Sequence, residues 1–160
     1  MAKTGLVLEG GAFRGVFTSG VLDVLMENGI EYDYVIGVSA GAGNGMGYIT
    51  GQVGRTRNVI KPKDHSQNYF GLKQVLKHGK FLNLDKMFFE YPYKQYPYDF
   101  DKFRKSDVAL EVVVSNCDTG KAEYYDERED IDRFLNLGKA SCSVPLMLSL
   151  IHISEPTRHL

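Results

Sequence analysis

Two glycine-rich segments, each leaving a short apolar run, constrain this 160-residue chain more than any other feature. The first is LEGGAFRG, Leu8 to Gly15, and the second is IGVSAG, Ile36 to Gly41. Glycines straight after an apolar run mark a place where the main chain turns sharply or is approached closely by other backbone. Gly5-Leu-Val-Leu-Glu9 therefore reads as a first buried strand and Tyr34-Val-Ile-Gly-Val38 as a second. Between them Phe17, Gly20, Val21, Val24, Leu25 and Asn28 recur at helical spacing, and Gly29 follows as a C-terminal glycine should. Strand, helix, strand at this length predicts a right-handed βαβ unit with parallel strands.

The helix expected after Ser39 is unusual. Gly41, Gly43, Gly45, Gly47 and Gly51 crowd it, and each interior glycine costs about 0.8–1 kcal/mol against alanine. Such a helix makes sense where it must press on other backbone; a loop is the alternative reading. From Tyr69 to Phe103 the chain holds eleven of its nineteen aromatic residues with no clean periodicity. Short helices and loops are expected there, with the rings packing the core or, as a second option, lining a channel for an acyl chain. Val108 to Ser115 and Lys121 to Tyr125 read as a hairpin turning at Asp118-Thr-Gly120. The acidic run Asp126 to Asp132 then leads into a helix with Ile131, Phe134, Leu135 and Gly138 on one face.

Bulk properties narrow the function. Hydrophobic content of 43% and charged content of 24% suit one globular domain. A net charge of −1 offers no general attraction to nucleic acid. Residues 55–80 are locally basic, however: Arg55, Arg57, Lys61, Lys63, Lys73, Lys77 and Lys80 stand against the single acid Asp64. A solvated basic face is the plain reading, and peripheral contact with anionic lipid headgroups the other. Cys117 and Cys142 show no metal or redox spacing, the start MAKTG does not read as a signal peptide, and no apolar run approaches a membrane span. A cytoplasmic protein, peripheral to the membrane at most, is expected, with no metal and no cofactor.

Ser39 stands in G-x-S-x-G directly after an apolar strand. Gly37 and Gly41 fit a tight strand-to-helix elbow that lifts a serine hydroxyl out at the carboxyl end of a parallel strand. The 10–15 turn, one βαβ unit upstream, offers backbone N–H groups for an oxyanion. Together these are two parts of an acyl-transfer site. A dinucleotide site fits worse: Gly10, Ala12 and Gly15 match its glycines loosely, and Ser39 stands where its ribose-binding acid belongs. A P-loop would need G-K-[ST], which is absent. An α/β-hydrolase triad would need His65, His78, His152 or His159 as base, and none lies in a convincing context.

EGGAFRG with its following helix, GVSAG, the VSNCDTGKAEYY hairpin and KASCSVPLM together resemble the patatin-like phospholipase family, its bacterial members above all. The resemblance covers roughly residues 3–147. It implies a three-layer α/β/α fold with a mostly parallel sheet, and hydrolysis of lipid or phospholipid esters. It implies Ser39 as nucleophile and Gly10, Gly11, Ala12, Arg14 and Gly15 as the oxyanion turn, with alanine at 12 where the family usually has a third glycine. It also implies a Ser–Asp dyad without histidine, which removes the need for one. The family's aspartate sits in D-G-G or D-G-A after the A-S-x-x-x-P-L segment. This chain reaches Ala140-Ser141 and Pro145-Leu146 and then departs from that pattern. Asp118 is the nearest imitation and reads as a hairpin turn. The remaining LSLIHISEPTRHL resembles a translated sequencing-library adapter; a divergent natural C-terminus is the other reading. Residues 1–147 are accordingly expected to be a partial acyl-hydrolase domain, incomplete at its C-terminus and inactive, and 148–160 a non-native tail. A non-catalytic lipid- or partner-binding module on the same scaffold is the alternative.

Overall fold

The computed structural model describes residues 3–143 except 65, 67 and 80, and of His78 only the backbone. The expected tail, 148–160, lies outside the described residues, as do His65, His152 and His159.

The sheet has four strands in the order β1-β2-β3-β4. Strand β1 (Gly5–Leu8) leads through a single 3-10 turn (Ala12–Arg14) into α1 (Gly15–Glu27), and β2 (Tyr34–Val38) returns parallel to it. After β2 come α2 (Ala40–Ile49), α3 (Arg55–Ile60), α4 (Leu72–His78), a π-helical turn at Lys86–Glu90 and α5 (Phe100–Lys105). Strand β3 (Ala109–Ser115) pairs parallel with β2, β4 (Ala122–Tyr125) folds back antiparallel on β3, and α6 (Ile131–Ser141) ends the described chain. The α/β class, the mostly parallel sheet and the hairpin all match the sequence reading.

Three parallel strands laid down in one direction put their right-handed crossovers on one face of the sheet. That face is dry: Leu8, Val35, Leu110, Val112 and Val114 are buried against Met46 of α2 and Phe134, Leu135 and Leu137 of α6. The register places Val7 and Tyr124 on the opposite face, and they are 75% and 58% exposed. Among the described residues, the helices therefore supply the layer on one side of the sheet.

Helix α1 forms where the spacing predicts it, and Leu25 of its apolar stripe packs on the core. Phe17, Val21 and Val24 of that stripe point outward, and the fully buried positions are Gly15, Ser19 and Leu22. The reason lies in the approach of α1 to α2. A Cβ on Gly15 would stand 2.9 Å from Ala40 Cβ, so small residues rather than large ones set that contact. The aromatic stretch packs as short helical pieces around Tyr91 and Phe103, both fully buried, with Phe103 stacked on Phe134 at 4.1 Å.

Candidate active site

Ser39 occupies the single residue between β2 and α2, with φ 53° and ψ −122°. A non-glycine residue there carries about 1–3 kcal/mol of backbone strain, so its surroundings must hold it. Three main-chain contacts do so. A Cβ on Gly37 would fall 2.6 Å from the Gly41 carbonyl, because the chain doubles back on itself at the elbow. On Gly41 it would fall 2.1 Å from Leu8 O, because the first turn of α2 rests on the end of β1. On Gly10 it would fall 3.2 Å from Ser39 Cβ, which sets the 10–15 turn directly against the serine. The two glycine motifs thus meet at the carboxyl end of neighbouring parallel strands.

Ala12 has φ 47°, in the left-handed region that favours glycine. The resemblance noted in the sequence implies a third glycine at this position, and alanine meets the turn under strain. Arg14 donates its backbone N–H to Gly11 O at 3.0 Å, and its side chain lies over Gly11. Gly15 opens α1 against Ala40 and Asn44.

Two residues that the sequence reading left without a role complete the elbow. Ser141, on the last turn of α6, accepts the Ser39 backbone N–H at 2.7 Å and donates its own hydroxyl to Val113 O at 2.6 Å. It ties Ser39 to β3; the segment KASCSVPLM was the available signal. Asn44 is buried in the glycine-rich helix and donates to Gly15 O at 3.1 Å and Ala40 O at 2.9 Å. A lone asparagine among glycines at a helix face gave no warning of that bridge.

The first turn of α2 leaves its leading N–H groups without intrahelical partners, and they point toward the Ser39 end. Cys142 lines the cavity together with Ser39, and burial pushes its thiol up to about 12. A thiol so held stays protonated near neutral pH and cannot take a proton from serine. Among the described residues, no carboxylate or imidazole is hydrogen-bonded to the Ser39 hydroxyl. Asp118 sits exposed at the hairpin tip, its N–H donating to Asn116 Oδ1 at 2.9 Å, as a turn residue. No group of three or more His, Cys, Asp or Glu among the described residues is placed to hold a metal ion.

Beside Ser39 opens a cavity of about 230 Å³ whose walls are mostly apolar. Ala12, Ser39 and Cys142 line it together with Met46, Tyr69, Leu84, Phe88, Tyr98 and Phe134. Tyr69, Phe88 and Tyr98 of the aromatic stretch are buried in the core and also wall this cavity. Tyr98 donates its hydroxyl to Met46 O at 2.9 Å, and Arg55 lies over its ring at 4.9 Å. Burial lowers the Arg55 guanidinium to about 10, so it remains a cation at neutral pH, with Nε donating to Tyr96 O and Pro97 O.

Comparison with known proteins agrees with this geometry. The chain is 37% identical over 84 residues to the uncharacterized protein YjjU of Escherichia coli (strain K12), a match covering 52% of this chain and 24% of that relative. The chain thus spans about a quarter of the length of the curated relative it matches. The description of the patatin-like phospholipase family matches residues 6–157. With a glycine turn and a serine elbow meeting on adjacent parallel strands, and with a family match over nearly its whole length, this chain belongs to the patatin-like phospholipase family.

Proposed function

We propose that this chain carries the nucleophile side of a serine acyl hydrolase acting on lipid or phospholipid esters. The observation that supports it best is the strained Ser39, held between Gly10 and the first turn of α2 at the rim of an apolar cavity. In this reading Ser39 Oγ attacks the ester carbonyl, and N–H groups of the 10–15 turn, Gly10, Gly11, Ala12, Arg14 and Gly15, receive the oxyanion. The alcohol leaves with a proton, the acyl chain rests in the cavity, and water then cleaves the acyl-serine ester. The base is the aspartate of a Ser–Asp dyad, and it is not among the residues described near Ser39. Burial keeps the Cys142 thiol protonated, so it is not that base.

The test is covalent labelling with a fluorophosphonate. This 160-residue chain should label weakly or not at all, because among the described residues no carboxylate or imidazole is hydrogen-bonded to Ser39. A longer parent chain containing D-G-G or D-G-A should label strongly, and its Ser39→Ala variant should not. Absence of labelling in the parent as well would favour a lipid- or partner-binding module built on the same scaffold. Equal labelling of both chains would mean that a base exists within the 160 residues, and the dyad assignment would fall.

A further inference from the structure

The connection between α3 and α5 presents a helix with inverted polarity. Residues 71–81 leave and rejoin the body of the protein through one antiparallel bridge, Phe70 with Leu82. Gly71 N donates to Phe81 O at 3.0 Å and Asn83 N to Tyr69 O at 2.6 Å, closing the base of this excursion. Within it the inward residue of α4 is polar: Gln74 is buried, donating to Asn68 O at 2.7 Å and accepting from Asn83. The outward residues are leucines. Leu72 and Leu76, one turn apart, are 73% and 82% exposed, with the exposed lysines Lys73 and Lys77 beside them. A helix arranged for water alone would show the reverse pattern.

Two more exposed rings stand at the base of the excursion. Phe81, at the exit of the excursion, is 45% exposed, and Phe13 is 44% exposed with its ring 4.6 Å from Phe70. Phe13 belongs to the turn beside Ser39, and Phe13, Tyr69 and Leu82 line the cavity. The excursion thus grows from the cavity wall. Its charge is equally lopsided. Residues 71–81 hold Lys73, Lys77 and Lys80 and no acid, in a chain whose net charge is −1. Among the described residues neither Lys73 nor Lys77 forms an ion pair.

We propose that α4 and Phe81 are a docking surface for an anionic lipid bilayer. Leu72, Leu76 and Phe81 enter the apolar edge of the bilayer while Lys73 and Lys77 meet headgroup phosphates. Apolar side chains ringed by lysines suit that surface, since each needs an environment that water or a neutral protein face supplies only in part. The proposal rests on the acyl-hydrolase reading, to which it adds the way a lipid ester reaches the cavity.

The chain contains no tryptophan, so Leu76→Trp places a single reporter on the surface. Its emission should shift to the blue, and be quenched by brominated acyl chains, with phosphatidylglycerol–phosphatidylcholine vesicles but not with phosphatidylcholine alone. Unshifted emission with the anionic vesicles would overturn the proposal. Leu72→Ser with Leu76→Ser should lower co-sedimentation with those vesicles by about tenfold or more, with the melting temperature unchanged because both side chains face outward. Lys73→Glu with Lys77→Glu should lower it by about fivefold per lysine at low salt. Unchanged co-sedimentation of the serine variant, or a dimer that the serine variant dissolves while vesicle binding persists, would assign the surface to a second copy of the chain and sink the bilayer reading. Uptake of a short-chain fluorescent fatty acid in vesicle-free buffer reports on the cavity separately, so failure of the acyl-hydrolase reading would be seen apart from failure of the docking surface.

Discussion

At the elbow, main chain rests on main chain, whereas in the connection from Lys61 to Lys105 rings rest on rings. Gly37 and Gly41 have no room for a methyl group, because backbone atoms of Gly41 and Leu8 already fill the space, and a methyl on Gly10 would press on Ser39 Cβ. Gly71 and Gly79 of the connection have open space around them, and their positive φ alone accounts for glycine. Tyr69, Tyr91, Tyr96 and Tyr98 form a chain of tilted and edge-on pairs with one another or with neighbouring phenylalanines. Backbone contacts permit no graded response to substitution; ring contacts do.

The sharpest way to break this contrast is Gly41→Ala. With a Cβ 2.1 Å from Leu8 O, β1 and α2 must separate, and we expect a loss of more than about 4 kcal/mol or failure to fold. Gly20→Ala, in the middle of α1 with nothing within 4 Å, should instead gain about 0.8–1 kcal/mol from helix propensity. Urea denaturation of both variants checks the pair. A mild effect at Gly41 would mean that the elbow is looser than its contacts imply.

The connection should show itself through alkaline pH. Burial raises Tyr69, Tyr91 and Tyr98 above the ordinary phenol value of 10.0. The unfolded chain then releases these protons first, so their contribution is complete below pH 10 and is lost as pH climbs beyond it. We expect stability to fall above about pH 10 by roughly 1.4 kcal/mol per pH unit for each fully buried tyrosine. Tyr98→Phe should flatten that fall while costing about 1–3 kcal/mol at neutral pH, because Met46 O loses its hydroxyl donor. A urea midpoint indifferent to pH between about 9 and 11 would contradict the assignment.

The smallest effect belongs to Ala12→Gly. Release from φ 47° favours glycine, while greater freedom of the unfolded chain opposes it. We expect a net gain of about 0.5 kcal/mol, read from the thermal midpoint. A clear loss would show that the alanine methyl packs usefully against the cavity it lines.

Much of the elbow could be read before any fold was known, because its information is local. A glycine demanded by a backbone contact appears in the sequence as a glycine, and a serine on a tight turn as G-x-S-x-G. The βαβ unit, the hairpin and the last helix are likewise periodic over short windows. Asn44 and Ser141 were not legible as site residues, since each acts through a partner 29 or more positions away. Phe17, Val21 and Val24 of α1 misled for the related reason that periodicity reports a face and not what covers it.

The sequence by itself determined the strands, the two glycine turns and the serine between them, because steric limits on φ and ψ act residue by residue. Tertiary structure alone decided that Gly10 meets Ser39, that the aromatic connection closes over a cavity instead of filling it, and that α4 turns its leucines outward. Those outcomes depend on which surfaces remain available once the sheet has formed, and no window of sequence contains that quantity.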